Sequence, residues 1–260
     1  MRASSIEVPP RGSPSVTRAV AILNLIAGRP GGWSLTQISS SLGLAKSSVL
    51  TILTSLEAAG MVSRTDNFYE LDIGVLTPAG GFLRGTDSIS QFKREVAAAP
   101  LLSGELAHLA VLAGSDVTYI ARHVGREPLP VTAGVGDRFP ASITAVGVAL
   151  LAQLSNETIA RLYRGPDPMP RWSAKSTRDL PGLLDKLART REQGYSVDDG
   201  ETYHNVFAYG LVVHRVGNHA QDFSMSVSML RDQTTAKRKA QALEELMGVR
   251  DALEAGNDLR

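Results

Sequence analysis

The chain has 260 residues, 43% of them hydrophobic, and a formal net charge of +1. That length leaves room for about two domains, each able to bury a core. It contains no cysteine, which excludes disulfides, thiolate zinc sites and cysteine nucleophiles and suits a reducing compartment. Met1 to Gly12 holds no apolar h-region, so a signal peptide is not expected. The longest apolar run, Ala145 to Ala152, falls far short of the roughly 20 residues a membrane span needs. The expectation is a cytoplasmic protein with no membrane partner.

Near-zero net charge does not announce a nucleic-acid binder, but the charge is unevenly placed. From Arg11 to Arg64 the bases are Arg11, Arg18, Arg29, Lys46 and Arg64, and the acid is Glu57. A local basic excess is a footprint for phosphate contact. A solvated surface explains it about as well.

Residues 1–13, rich in Ser, Pro and Arg without periodicity, read as a flexible arm. Ser13 and Pro14 have the chemistry of an N-cap and a first helical position. Val16, Val20, Leu23 and Ala27 recur at helical steps and predict one buried stripe. Gly28, Pro30, Gly31 and Gly32 stop that helix. Ser34-Leu35-Thr36-Gln37 has capping-box spacing, and Leu35, Ile38 and Leu42 form the inner face of a short second helix. Gly43 turns the chain into a third helix, about 45–59, with Gly60 at its end. Two short helices around a tight glycine turn make a helix-turn-helix.

In the third helix Val49, Ile52, Leu53 and Leu56 share one face. At ~100° per residue the opposite face is Ser47, Thr51, Thr54 and Ser55, flanked by Lys46, Leu50 and Ser48. Short polar side chains near a helix N-terminus are what major-groove recognition needs. Ser and Thr can donate to or accept from base edges, and Lys can reach guanine or phosphate. The alternative is a small polar surface without a partner. Met61 to Arg64 and Phe68 to Leu71, joined by Thr65-Asp66-Asn67, predict a hairpin. After a third helix a hairpin is a wing. Arg64 and Asn67 near its tip, and Arg18 in the first helix, join the candidate DNA contacts.

Beyond residue 86 the chain reads as α+β. Asp87 to Ala99 has helical character, with Ile89, Phe92 and Val96 on one side. Leu106–Leu112 and Asp116–Val124 predict a hairpin around Ala113-Gly114-Ser115. Helices are expected over 146–154, 180–193 and 235–254, and strands over 206–216 and 223–230. The layout is a winged helix-turn-helix over 14–78, a linker helix over 79–100, and an effector-binding and oligomerisation domain over 101–260.

Several stretches resemble the IclR family of regulators. In the DNA-binding part these are Leu35-Thr36-Gln37-Ile38, Gly43-Leu44-Ala45-Lys46-Ser47-Ser48-Val49, Leu56-Glu57-Ala58-Ala59-Gly60 and Tyr69-Glu70-Leu71. Further on they are Gly136-Asp137-Arg138-Phe139-Pro140, Thr144-Ala145-Val146-Gly147, Arg191 to Asp199 and Ser226-Val227-Ser228. The chain departs from the family pattern at Thr51, where an Arg is frequent, at Val148, at Gly200-Glu201, and over Val206 to Gly210. The resemblance implies a GAF-like sensor domain, a double-stranded DNA operator, a small organic effector, and self-association as a homodimer or homotetramer. It also implies that Ala145, Val146, Asp198, Val206, Ser226 and Ser228 line the ligand pocket. Ser226 and Ser228, at i and i+2, share one strand face. N–H groups starting the 145–154 helix suit a carboxylate or carbonyl oxygen.

His204, Asn205 and Tyr209, in the divergent stretch, are further ligand-contact candidates. The Val, Phe and Tyr at 206–209 suit an aromatic effector. His108 and Tyr119 read as satisfied core or surface residues rather than ligand contacts. Asp198, Asp199, Glu201 and His204 cluster in sequence, but no His-x₃-His or Cys pair supports a metal. Gly134-Val135-Gly136 lacks the third glycine of a dinucleotide fingerprint. Neither a cofactor nor catalysis is expected. The competing function is a ligand-binding or scaffold protein whose winged helix makes protein contacts.

Overall fold

A computed structural model of the chain describes residues 12–84, 87–125, 129, 133–165, 169–215 and 221–257. The chain divides into two compact units, Met1–Gly85 and Thr86–Arg260. The expected arm lies, over residues 1–11, outside the described residues.

The first unit begins with α1 (Pro14–Ala27), with Ser13 as N-cap and proline in the first turn. Its buried residues are Ile22, Leu25 and Ile26, while Val16 is 62% and Val20 51% exposed. The predicted stripe through Val16 and Val20 is therefore corrected. Apolar residues occupy several sides of α1, so periodicity alone could not choose the side that packs. β1 (Trp33–Ser34) follows, and then α2 (Leu35–Leu42) with a complete Ser34/Gln37 capping box. Gly43, at φ 63°, supplies the left-handed turn that a side chain would resist. α3 (Lys46–Ala58) buries Val49, Ile52 and Leu53. β2 (Val62–Thr65) and β3 (Phe68–Leu71) form the hairpin, with Asp66 left-handed at its tip. β1 pairs with β3, so the sheet order is β1-β3-β2. That short strand lacks an alternating pattern and was not predicted. Ile22, Ile38, Val49, Leu53, Val62 and Tyr69 meet in the core of this unit. α4 (Leu76–Arg84) ends it.

The second unit begins with α5 (Asp87–Ala98). The predicted single linker helix over 79–100 is described as helix on both sides of Gly85 and Thr86, which lie outside the described residues. The strands are β4 (Leu106–Ala113), β5 (Asp116–His123), β6 (Arg138–Pro140), β7 (Ser196–Asp199), β8 (Val206–Val213) and β9 (Phe223–Leu230). They form one antiparallel sheet in the order β6-β5-β4-β9-β8-β7. The helices are α6 (Ala145–Ala152), α7 (Asn156–Leu162), α8 (Leu180–Gln193) and α9 (Ala236–Asn257).

Strand alternation divides the sheet's side chains between two cores. Phe207, Tyr209, Leu211, Met225 and Val227 face a core shared with residues of α5 and α9. Leu106, Val117, Tyr119 and Val206 face a second core with residues of α6 and α8. This is a GAF-like α+β architecture, a sheet with helices on both faces. All eight residues of α6 are buried, which explains why its sequence is apolar all round.

Gly147 lets α6 approach the preceding loop. A Cβ there would lie 2.3 Å from Ala141 Cα and 2.4 Å from its carbonyl oxygen. Overpacking costs about 1–3 kcal/mol, and alanine's helix propensity returns about 1. Since the obstacle is backbone, Gly147→Ala should fall at the costly end, a net loss of about 2 kcal/mol in denaturant unfolding. An unchanged midpoint would refute this close approach.

Candidate functional site

Two surfaces carry the candidate residues, one in each unit. On α3, Lys46, Ser47, Thr51, Thr54 and Ser55 are exposed and Ser48 is half-buried. They sit outward because the opposite face supplies the core. Three hydroxyls are committed to the helix itself. Thr51 Oγ1 donates to Ser47 O at 3.0 Å, Thr54 Oγ1 to Leu50 O at 3.0 Å, and Ser55 Oγ to Thr51 O at 3.1 Å. On the wing, Arg64 Nε donates to Asp66 O at 2.9 Å and Nη2 to Asn67 Oδ1 at 3.4 Å. The guanidinium also lies 5.6 Å from the Tyr69 ring centroid. Arg64 and Asn67 are thus folded onto the tip, exposed but mutually engaged. Arg18 is half-buried on α1.

The second surface is a cavity of about 400 Å³ of empty space, its open mouth included, in the Thr86–Arg260 unit. Ala145 and Val146, at the start of α6, form one end. Thr144 caps this helix, its Oγ1 accepting from Gly147 N at 3.2 Å. The first N–H groups of a helix have no partner within it, so this end offers donors. Ser226 and Ser228 of β9, with Val206 and Ala208 of β8, form the floor. These even-numbered positions share a face because side chains alternate along each strand. Asp198, Thr202 and Tyr203 close one side; His108, Tyr119 and Phe139 close another.

Three predicted contacts do not reach this cavity. Tyr209 points into the opposite core, where it meets Phe207 and Tyr195 edge-on. Its odd parity on β8 puts it on the wrong face. His204 is exposed, and Asn205 is half-buried with its carbonyl accepting from Arg231 N. Both precede β8, beside the cavity-lining residues in sequence but not among them.

Conversely, His108 and Tyr119, read from sequence as core or surface residues without a ligand, stand in the cavity wall. Their rings stack at 4.3 Å, and Tyr119 continues to Phe139 at 5.3 Å and Phe139 to Trp172 at 5.1 Å. The signal was available in part: β4 and β9 pair with His108 opposite Ser226, but register is not written in local sequence. His108 Nε2 lies 3.3 Å from Ala133 O. A carbonyl can only accept, so Nε2 carries the proton and neutral Nδ1 keeps a lone pair. Burial pulls this imidazole down to about 4, against the hydrogen bond to Ala133, with Arg122 pulling the same way. Burial also raises the Tyr119 phenol.

Asp198 is 4% exposed. Its Oδ1 accepts from Glu201 N at 2.6 Å and from Thr202 N at 3.4 Å. Burial outweighs these bonds and pushes its carboxyl up to about 6. Behind it, Lys186 of α8 reaches both Glu201 oxygens at 2.6 Å and Ser142 O at 2.9 Å. Glu201 Oε2 also accepts from Thr177 N and Oγ1. Glu201 therefore ties the Asp198 loop to α8. Asp199 faces outward to Lys175 and Arg231. Among the described residues no group of three His, Asp or Glu side chains could hold a metal ion. Among them, too, no helix is long and apolar enough to cross a membrane.

A winged helix-turn-helix joined in one chain to a cavity-bearing GAF-like unit defines a ligand-responsive transcriptional regulator. Residues 82–254 match the family model described as bacterial transcriptional regulator IclR C-terminal, and residues 15–66 match the IclR helix-turn-helix domain. The chain belongs to the IclR family of bacterial transcriptional regulators. The HTH-type transcriptional repressor AllR of Salmonella typhi is 29% identical over 193 residues, 74% of this chain and 71% of that protein. The crystal structure of the Agobacterium tumefaciens repressor BlcR is 28% identical with a TM-score of 0.60, covering 94% of this chain and 97% of that one. An IclR homologue from Microbacterium hydrocarbonoxydans, complexed with 4-hydroxybenzoate, shares the fold at 19% identity and a TM-score of 0.73, over 93% of this chain and 99% of that one.

Proposed function

We propose that this regulator acts in the cytoplasm as a homodimer or homotetramer. Each α3 enters a major groove of a partly palindromic operator, with Lys46, Ser47, Ser48, Thr51, Thr54 and Ser55 toward the DNA. Arg18, Arg64 and Asn67 serve the phosphates or the minor groove. The effector is a small organic acid, aromatic acids included. The observation that carries this reading is the cavity: helix-start N–H donors at one end, two serine hydroxyls on the floor, and an aromatic wall beside that floor, with His108 opposite Ser226. The donors suit a carboxylate and the rings suit a flat apolar body. The homologue bound to 4-hydroxybenzoate is a precedent for that ligand class. The effector shifts the placement of the winged helices only through its different affinity for the two arrangements.

The test is a mobility-shift titration on DNA upstream of the protein's own gene and on neighbouring promoters. Specific binding should survive excess nonspecific DNA and weaken at least about a hundredfold between about 50 and 200 mM salt, as counterions are released. No shift on any of these would transfer the weight to a ligand-binding or scaffold role. Effector binding is read from Trp172, whose ring touches the aromatic wall. Candidate acids that alter both Trp172 emission and the shift are effectors. Replacing Ser226 and Ser228 together with alanine should weaken that response about tenfold or more, two hydrogen bonds to a charged group being lost. An untouched response would refute the cavity assignment.

A further inference from the structure

The outer face of α3 has three of its hydroxyl donors already engaged by the helix. Leu50 stands on it, 42% exposed, between Ser47 and Thr54. At ~100° per residue Leu50 flanks the outer face, about 40° from Thr54 and about 60° from both Ser47 and the buried Leu53. Thr51 and Thr54 have already given their only hydroxyl proton to the helix's own carbonyls. What each threonine offers outward is a methyl group and oxygen lone pairs. The face holds no Arg, Asn or Gln, the residues that read guanine or adenine by bidentate hydrogen bonds. Lys46, at its N-terminal edge, is its cation.

An apolar patch in the major groove has one complementary base feature, the C5 methyl of thymine. The threonine lone pairs match the adenine N6 amino group of the same pair. Guanine, with acceptors only on its groove edge, could be read by the threonines only if their protons left their carbonyls, which leaves Lys46 and Ser47 at the N-terminal edge as the donors able to meet it. Cytosine offers an amino donor but no methyl. We infer that Leu50, with the methyl groups of Thr51 and Thr54, reads thymine methyls, so that A·T pairs set the specificity of each half-site. The inference rests on the proposed DNA-binding role of α3 and deepens it. Leu50 is a specificity residue here, where the sequence alone placed it only as a flank.

The experiment begins with duplexes carrying a randomised central segment, from which the full-length protein selects its preferred sites. Each thymine of a selected site is then replaced singly by deoxyuridine, which removes the methyl and nothing else. At one or two positions per half-site, affinity should fall about three- to fivefold, the value of one buried methyl. Leu50→Ala, an exposed change that leaves the core intact, should bind more weakly and lose its sensitivity to deoxyuridine at those positions. Selected sites without A·T preference would overturn the inference while leaving DNA binding in place. So would a loss under twofold at every thymine, or equal losses in the parent and Leu50→Ala. Failure to enrich any sequence would overturn the DNA-binding reading and this inference with it.

Discussion

Replacing Lys186 with methionine should lower the unfolding free energy of the effector unit by about 3 kcal/mol. The Lys186 and Glu201 side chains are only 12% and 13% exposed, with Nζ 2.6 Å from the carboxylate. Burial pulls the Lys186 ammonium down even though Glu201 opposes it, so desolvation is a large part of the balance. Such a pair adds little net stability over a well-packed apolar one, yet removing one partner strands the other charge, at about 3–5 kcal/mol. The slight exposure argues for the lower end. Stranded Glu201 would keep its bonds from Thr177, but the anchor to α8 would be gone. The Lys186→Met/Glu201→Leu double variant should recover part of the loss, since Thr177 N and Oγ1 then lose their acceptor. Trp172 emission in a Trp33→Phe background follows this unit separately. Equal losses in the single and double variants would show that the two groups are not coupled. Because Glu201 N donates to Asp198, the single variant should also weaken effector binding.

His108 and Asp198 should drive the pH dependence of stability in opposite directions. The Asp198 carboxyl rises from 3.8 to about 6 in the fold, chiefly through burial. The folded state therefore holds that proton more tightly than the unfolded chain. Its contribution is complete below pH 3.8 and is lost as pH rises through about 6, a change of roughly 3 kcal/mol. The His108 imidazole falls from 6.5 to about 4, again chiefly through burial. Here the unfolded chain binds the proton first. Stability is lost as pH falls from 6.5 toward 4, by a similar amount. In the parent chain the two slopes nearly cancel. Relative to the parent at the same pH, His108→Gln should gain about 3 kcal/mol on going from neutral pH to pH 4. Asp198→Asn should gain about as much in the reverse direction. Denaturant unfolding at the two pH values measures both. Variant curves parallel to the parent would mean that neither group is buried as described.

Much of this protein was legible residue by residue. The capping box at Ser34 and Gln37, the left-handed Gly43 and the 3.6-residue repeat of Val49, Ile52, Leu53 and Leu56 are local signals. They act within one or two turns of chain, so they name α2 and α3 without help from the rest. The i, i+2 spacing of Ser226 and Ser228 likewise puts both on one strand face whatever surrounds the strand. Resemblance supplied Ala145, Val146 and Asp198, which the fold brings to the same cavity.

Local signals could not choose between equivalent faces. α1 has apolar residues on several sides, and packing against α3 and β3 buries Ile22, Leu25 and Ile26 instead of Val16 and Val20. Tyr209 and Val206 both looked available to a ligand, but their positions on β8 have opposite parity. Only the packing of α6 and α9 on the two faces says which parity sees the cavity. His108 and Tyr119 enter the site through strand register, and Lys186 finds Glu201 through the docking of α8. Sequence by itself therefore determined the longer elements, because their causes are short-range, but not the short β1, β6, β7 and α7. Tertiary structure decided which face of each element is inside and which distant residues become neighbours, because burial is settled by the whole fold at once.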